Sequence, residues 1–311
     1  MIESTVFPSE TDRGNQIGIG TVQLGMPYGP QNESPPSKQE SIKFLREAYD
    51  MGINFIDTAS TYGTAEYLLG ETFRSYENRP LISTKISLPD STKMDLVENR
   101  IIAQIENSKT LLDLETLPLV MLHSVTGDVF NPPLINLLYD LTRKGMVAKW
   151  GVTTYGLCAP LRALDYPMLF STIQVPFNVL DRVTLSTLLT HPNAHNFTAV
   201  ARSIFLQGLL TEDNNSIPKQ LSPLKPFFDV IKKIARCSNL SLSELCLRYA
   251  AYKPGIGITL FGTQHLTELR SNVINYHKGP LGNDIIEVID DILVERLDLL
   301  DPRNWKKTKS N

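Results

Sequence analysis

Eight short apolar runs, each followed by a stretch of helical character, recur along this chain and leave few folds open to it. The runs are "QIGIGT", "INFID", "PLISTKI", "LPLVMLHS", "MVAKWGVT", "STIQV", "FTAVARS" and "GIGITLFG". They read as strands. Between them lie amphipathic stretches such as "KMDLVENRIIAQIENSKTLL", where Val97, Ile101, Ile105 and Leu112 keep one face apolar. An early helix has both ends marked. Ser37 and Glu40 stand at capping-box spacing, Ile42, Leu45, Ala48 and Tyr49 share a face, and Gly52 closes it. No Pro/Gly/Ser-rich linker divides the 311 residues. The pattern therefore predicts an α/β fold, a closed (β/α)₈ TIM barrel forming a single domain over residues 1–311. A doubly wound dinucleotide-binding sheet is the competitor. Its glycine fingerprint fails here, because "GIGTVQLG" carries Gln23 where the third glycine belongs.

Composition removes several function classes. The formal net charge of −3 supplies no broad positive field, so nucleic acid is not an expected partner. The basic tail "RNWKKTKS" reads as a solvated end. No apolar run approaches the ~20 residues that span a bilayer, and "MIESTVFPSETDRGN" has neither a basic start nor an apolar signal core. No membrane partner is expected, and the cytoplasm is the default location. Cys158, Cys237 and Cys246 are too few for a disulfide framework and read as reduced thiols. A metal-dependent barrel hydrolase would want a close histidine pair after an early strand. The only close pair is His191 and His195 in "HPNAH", where Pro192 intervenes and no glutamate lies between, so a loop is expected and no metal.

Active sites of such barrels form at the C-terminal ends of the strands. Polar residues stand at three consecutive strand ends here: Asp57, Lys85 and His123, with Tyr62 shortly after the first. Any one of them could be structural, as an ion pair or a satisfied core histidine. Four together favour a site. Asp57 and Lys85 from adjacent strands can share the cost of burying charge. An ammonium beside a phenol favours the phenolate, which would suit Tyr62 to act as a general acid. His123 could hydrogen-bond the oxygen that takes the proton. This set polarises a carbonyl but holds no hydride source, so a cofactor is required.

On these residues the chain resembles the aldo-keto reductase superfamily: Asp57 and Tyr62 in "DTASTYG", Lys85 in "STK" and His123 in "LHS" match its catalytic tetrad in order and context. "IGIGTVQLG", "KWGVTTY", "IQVPFN" and "LFGTQHLTELRSN" are similar to its first, fifth, sixth and eighth strand regions. The resemblance implies a nicotinamide dinucleotide held across the C-terminal face without a Rossmann unit. It assigns Gly20, Thr21 and Val22 to the nicotinamide and pyrophosphate, Thr153 and Gln174 to the carboxamide, and Asn272 to adenine. Ser203, Leu206, Gln207 and Gly208 fall where the family wraps the pyrophosphate, or else form a tight loop after the seventh strand.

Some positions depart from the family pattern. Arg202 stands where many relatives stack an aromatic ring on the nicotinamide, and it could stack or reach an anion. Thr154 replaces an Asn. In the eighth-strand motif, which includes Thr263, a common basic pair is replaced by Gly262 and Glu268, with Arg270 the only cation. NADPH is the cofactor the resemblance implies, with NADH the alternative that Glu268 leaves open. The expected activity is reduction of a small-molecule aldehyde or ketone, sugar-like by resemblance to a bacterial subgroup. Oxidation of a sugar hydroxyl and a cofactor-sensing role of the channel-β-subunit type are the alternatives. Oligomeric state is not legible.

Overall fold

The computed structural model describes residues 16–29, 33–89, 93–125, 129–212 and 217–305. The basic run after Trp305 lies outside them, as do parts of the two loop-rich segments, at 30–32 and 213–216.

Eight strands form, at the eight apolar runs: β1 (Gln16–Gly20), β2 (Phe55–Asp57), β3 (Leu81–Ile86), β4 (Leu117–His123), β5 (Val147–Thr153), β6 (Phe170–Pro176), β7 (Thr198–Arg202) and β8 (Ile256–Gly262). They are joined in sequence order into one closed parallel barrel, β8 returning to pair with β1. Closure leaves no sheet edge to protect. The helices are α1 (Val22–Gly25), α2 (Lys38–Asp50), α3 (Ala65–Phe73), α4 (Met94–Leu112), α5 (Pro132–Arg143) and α6 (Cys158–Leu164). They continue with α7 (Val183–Leu189), α8 (Lys225–Cys237), α9 (Leu242–Ala251), α10 (Leu266–His277) and α11 (Asn283–Asp290). Helix α2 has the complete capping box between Ser37 and Glu40, and Gly52 follows it at φ 89°. His191 and His195 lie outside α7, in a loop with a short 3₁₀ turn at Ala194–Asn196.

Strand periodicity sorts the core in two. Outward residues such as Val120, Leu122 and Ile173 join the helices in the large cluster, which also holds Leu45, Ile101, Ile105 and Leu112. A separate cluster of Phe55, Leu119, Met121, Val200, Ile258 and Leu260 contains strand residues only, so it fills the barrel interior. Continuing that inward set two residues at a time carries Phe55 to Asp57, Met121 to His123, Val200 to Arg202 and Leu260 to Gly262. Ser83 leads likewise to Lys85, Gly151 to Thr153, Thr172 to Gln174 and Gly18 to Gly20. Gly20, Asp57, Lys85, His123, Thr153, Arg202 and Gly262 are thus the last inward positions of their strands, Gln174 is the last but one in β6 before Pro176, and together they make the upper rim of a packed interior.

Candidate active site

Tyr62 follows β2, in the turn that leads to α3. Its position is set by a close backbone approach. Gly25, at the end of α1, lies so near this turn that a β-carbon there would meet the Tyr62 carbonyl oxygen at 1.9 Å, and the Gly25 carbonyl accepts the Thr64 N–H at 3.2 Å. Thr21 anchors the other side, its N–H and Oγ1 both donating to the Asp57 carbonyl at 3.0 and 3.1 Å.

Lys85 is 1% exposed and Asp57 5%. The Lys85 Nζ donates to Asp57 Oδ2 at 2.5 Å and to the Thr58 carbonyl at 2.7 Å, and it lies 5.0 Å from the Tyr62 ring centroid. Burial opposes the ammonium charge, but Asp57 and the Tyr62 phenol outweigh it, so the Lys85 pKa stands above its ordinary value. The second Asp57 oxygen is also engaged. Gln174 Nε2 donates to Oδ1 at 3.0 Å, and Thr153 Oγ1 donates to Gln174 Oε1 at 3.0 Å. Four inward side chains, Thr153, Gln174, Asp57 and Lys85, thus form one chain of contacts that ends beside Tyr62.

His123 presents its ring edge-on to Tyr62, centroids 6.3 Å apart. Burial first, then the Lys85 and Arg202 charges, lower its pKa to about 4, so it is a neutral imidazole at physiological pH. A neutral ring can donate one hydrogen bond without bringing a second cation beside Lys85. All four tetrad candidates are brought together.

The cofactor candidates separate more finely. Arg202 donates to the Thr154 carbonyl at 2.7 Å and to Ser203 Oγ at 3.2 Å, and its guanidinium lies 4.0 Å from the Tyr155 ring centroid. Arg303 takes a similar position on that ring at 3.9 Å. Stacking is therefore realised, on a tyrosine of the protein. Tyr28 stands close by, with its hydroxyl 3.4 Å from Gln207 Nε2 and with Tyr62, Tyr155 and Arg202 as electrostatic neighbours. Sequence reasoning does not single out Tyr28, Tyr155 or Arg303. The one signal for Tyr155 is its place just past a strand end. After β7, Ser203, Leu206, Gln207 and Gly208 all have positive φ, between 46° and 87°. These positions are strained for the non-glycine residues, and the turn closes on itself, the Leu206 N–H donating to the Ser203 carbonyl at 3.0 Å and the Gly208 N–H to the Phe205 carbonyl at 2.9 Å. Leu206 is fully buried in the core, and its N–H and carbonyl both bond within the turn, so it offers a ligand neither side chain nor amide. Thr154 is buried and donates to the Val125 and Tyr155 carbonyls, which occupies its hydroxyl within the protein.

On the other side of β1, register pairs Gly20 with both Asp57 and Gly262, which puts the β8 loop on the same rim. There Thr263 bonds Glu268 through its hydroxyl, and Asn272 is 6% exposed. Arg270, the cation of this motif, points outward to Glu47 of α2 at 2.6 Å. The buried Gln264 Oε1 has no hydrogen-bond partner among the described residues. The unpartnered Gln264 oxygen and the polar strand ends beside a carbonyl-polarising set fit a dinucleotide laid along the rim. No group of three or more metal-ligating side chains occurs among the described residues, and no described helix is long and apolar enough to cross a membrane.

Comparison with known proteins agrees with this geometry. The family model described as Aldo/keto reductase family matches residues 16–294. The aldo-keto reductase YhdN of Bacillus subtilis (strain 168) is 24% identical over 302 residues, covering 85% of this chain and 87% of that protein. L-galactose dehydrogenase of Arabidopsis thaliana is 25% identical over 280 residues, 83% of this chain and 82% of that one. A solved aldo/keto reductase from Klebsiella pneumoniae, in complex with NADP and acetate, shares the fold with a TM-score of 0.68 at 21% identity, covering 88% of this chain and 89% of that chain. The match over nearly the whole barrel, together with the site it encloses, identifies the chain as a member of the aldo/keto reductase family and an NAD(P)H-dependent oxidoreductase.

Proposed function

We propose that the protein reduces a sugar-like aldehyde or ketone to the alcohol, with Tyr62 as the proton donor. The observation that carries this reading is the Lys85 ammonium, buried and held at 2.5 Å by Asp57 with the Tyr62 ring beside it and His123 across from that ring. A reduced nicotinamide, when bound, supplies the hydride that no side chain here can provide. Gly20, Thr21, Val22, Thr153 and Gln174 are the residues that would hold that ring, and the loop after β7 would hold the pyrophosphate.

The chain's own residues manage the proton and the oxygen. Two of the Lys85 protons are committed to Asp57 and the Thr58 carbonyl, which leaves the third for the Tyr62 phenol. Lys85 then stabilises the phenolate that remains when Tyr62 gives its proton to the developing alkoxide. His123, kept neutral, donates to the same oxygen and fixes its direction. Gln174 and Thr153 hold Asp57, and Asp57 keeps Lys85 charged.

The sugar-like class draws support from the L-galactose dehydrogenase relative and from the wall of this site. Tyr28, Tyr155, Arg202 and His123 offer hydrogen-bonding groups, which suit a hydroxylated substrate better than a bare hydrocarbon. Glyceraldehyde and propanal, assayed side by side with NADH and NADPH, test both parts of the proposal. Glyceraldehyde should show the higher kcat/KM. Tyr62→Phe should lower kcat by about 10²–10⁴-fold, the usual worth of a positioned acid, while cofactor affinity stays within about twofold. Full activity in that variant would sink the assignment of Tyr62.

A further inference from the structure

The loop after β8 carries a charge pattern that bears on which dinucleotide this enzyme takes, an inference that rests on the reductase reading above. Two strand registers connect the loop to the tetrad, Gly262 beside Gly20 and Gly20 beside Asp57, so a molecule extended along the rim from Tyr62 can reach it. One buried polar atom there lacks a partner among the described residues. The Gln264 Oε1 is buried without a donor, and Asn272 stands nearby at 6% exposure. Asn272 lies one helical turn beyond Glu268 on the same face of α10. An amide side chain beside an unpartnered carbonyl oxygen suits the mixed donor and acceptor edge of a purine.

The charged groups at this place are mostly negative. Glu268 occupies the first turn of α10 and receives the Thr263 hydroxyl, while the Thr263 oxygen in turn accepts the His265 N–H at 3.0 Å. Glu33 lies on the other side, receiving Gln264 Nε2 at 2.8 Å. The cations do not balance them. Arg270 is paired with Glu47 on the outside of the barrel, and His265, half exposed, stands 3.7 Å from Glu33. No described Lys or Arg makes a hydrogen bond or ion pair with Thr263, Gln264, Glu268 or Asn272.

A phosphate monoester carries nearly two negative charges at neutral pH and needs cationic donors, whereas a ribose hydroxyl is a donor that a carboxylate accepts well. We propose that this chain is built for the unphosphorylated dinucleotide: Glu268 accepts the adenosine ribose 2′-hydroxyl of NADH, and Glu268 with Glu33 repels the 2′-phosphate of NADPH. The NADPH expectation came from the family at large. Here the side chains that would meet the phosphate have the wrong sign.

The test is a pair of titrations on the full-length protein, following energy transfer from tryptophan to NADH or to NADPH, for the wild type, Glu268→Gln and Glu268→Arg. Glu268 is exposed, so neither substitution disturbs the core. Wild type should bind NADH at least about tenfold more tightly than NADPH. Glu268→Gln should narrow that ratio, and Glu268→Arg should invert it. NADPH binding as tight as NADH in the wild type overturns the inference and leaves the reductase reading standing. Retention of the wild-type ratio by both variants overturns it equally, because Glu268 would then act only on the helix end. Binding of neither dinucleotide would remove the reductase reading and this inference with it.

Discussion

His123 and Asp181 are both pushed by burial toward their neutral forms, yet their effects on stability run in opposite directions with pH. The His123 pKa falls from 6.5 to about 4, through burial first and then the Lys85 and Arg202 charges. Its contribution is complete above pH 6.5 and is lost as pH falls through about 4, a change on the order of 3 kcal/mol. Asp181 moves from 3.8 to about 6, because burial outweighs the attraction of Arg202 and Arg182. Its contribution is complete below pH 3.8 and is lost as pH rises through about 6. Between pH 4 and 6 the two largely offset each other in the wild type. Single substitutions should expose them. His123→Asn should make urea stability rise as pH falls over this range, and Asp181→Asn should make it fall. Midpoints measured at pH 4.5 and 7 check both, and equal pH slopes in all three proteins would contradict the assignment. Of these two groups, only His123 is legible in the chain. It ends a strand, whereas Asp181 lies in a loop whose burial depends on Arg202 and the C-terminal segment packing nearby.

Helix α1 and the turn before α3 work as one element, although thirty-odd residues separate them in the chain. Gly25 has no room for a β-carbon, which would sit 1.9 Å from the Tyr62 carbonyl and 2.7 Å from the Ala65 nitrogen. Gly25→Ala must therefore displace the Tyr62 backbone, and a shift of this kind at the proton donor should cost kcat at least about tenfold as well as stability. Gly70 makes a useful contrast. A β-carbon there would meet the Leu111 carbonyl at 2.1 Å, where α3 packs against α4 away from the tetrad. Gly70→Ala should lose about 1–3 kcal/mol of stability with kcat nearly unchanged. Steady-state kinetics and thermal melts on the two variants separate a positioning role from a purely structural one. If both variants lose only stability, the Gly25 contact does not position Tyr62. Neither close approach could be read from the chain, because each is a meeting of backbones from different elements.

At the scale of the whole molecule, one barrel interior and one surrounding shell of helices are closed by the β1–β8 pairing, so no strand can leave without opening the ring. Thermal unfolding should then be a single calorimetric transition, with an enthalpy of about 0.7 kcal/mol per residue near 60 °C and a matching van't Hoff value. Two resolved transitions would contradict the one-domain organisation. The chain alone determined the eight strands and the longer helices between them, because alternation and amphipathic spacing are local properties that burial in a barrel only enforces, whereas α1, α6, α7 and α11 are not legible in it. It also pointed to the tetrad, since those residues end consecutive strands or follow one closely. Tertiary structure decided the rest. Arg202 settles on Tyr155 with Arg303 against the same ring, Gln174 bridges Asp57 to Thr153, and Arg270 turns away from the rim to Glu47. Each depends on long side chains from distant elements choosing among partners, and that choice exists only once the barrel has brought them within reach.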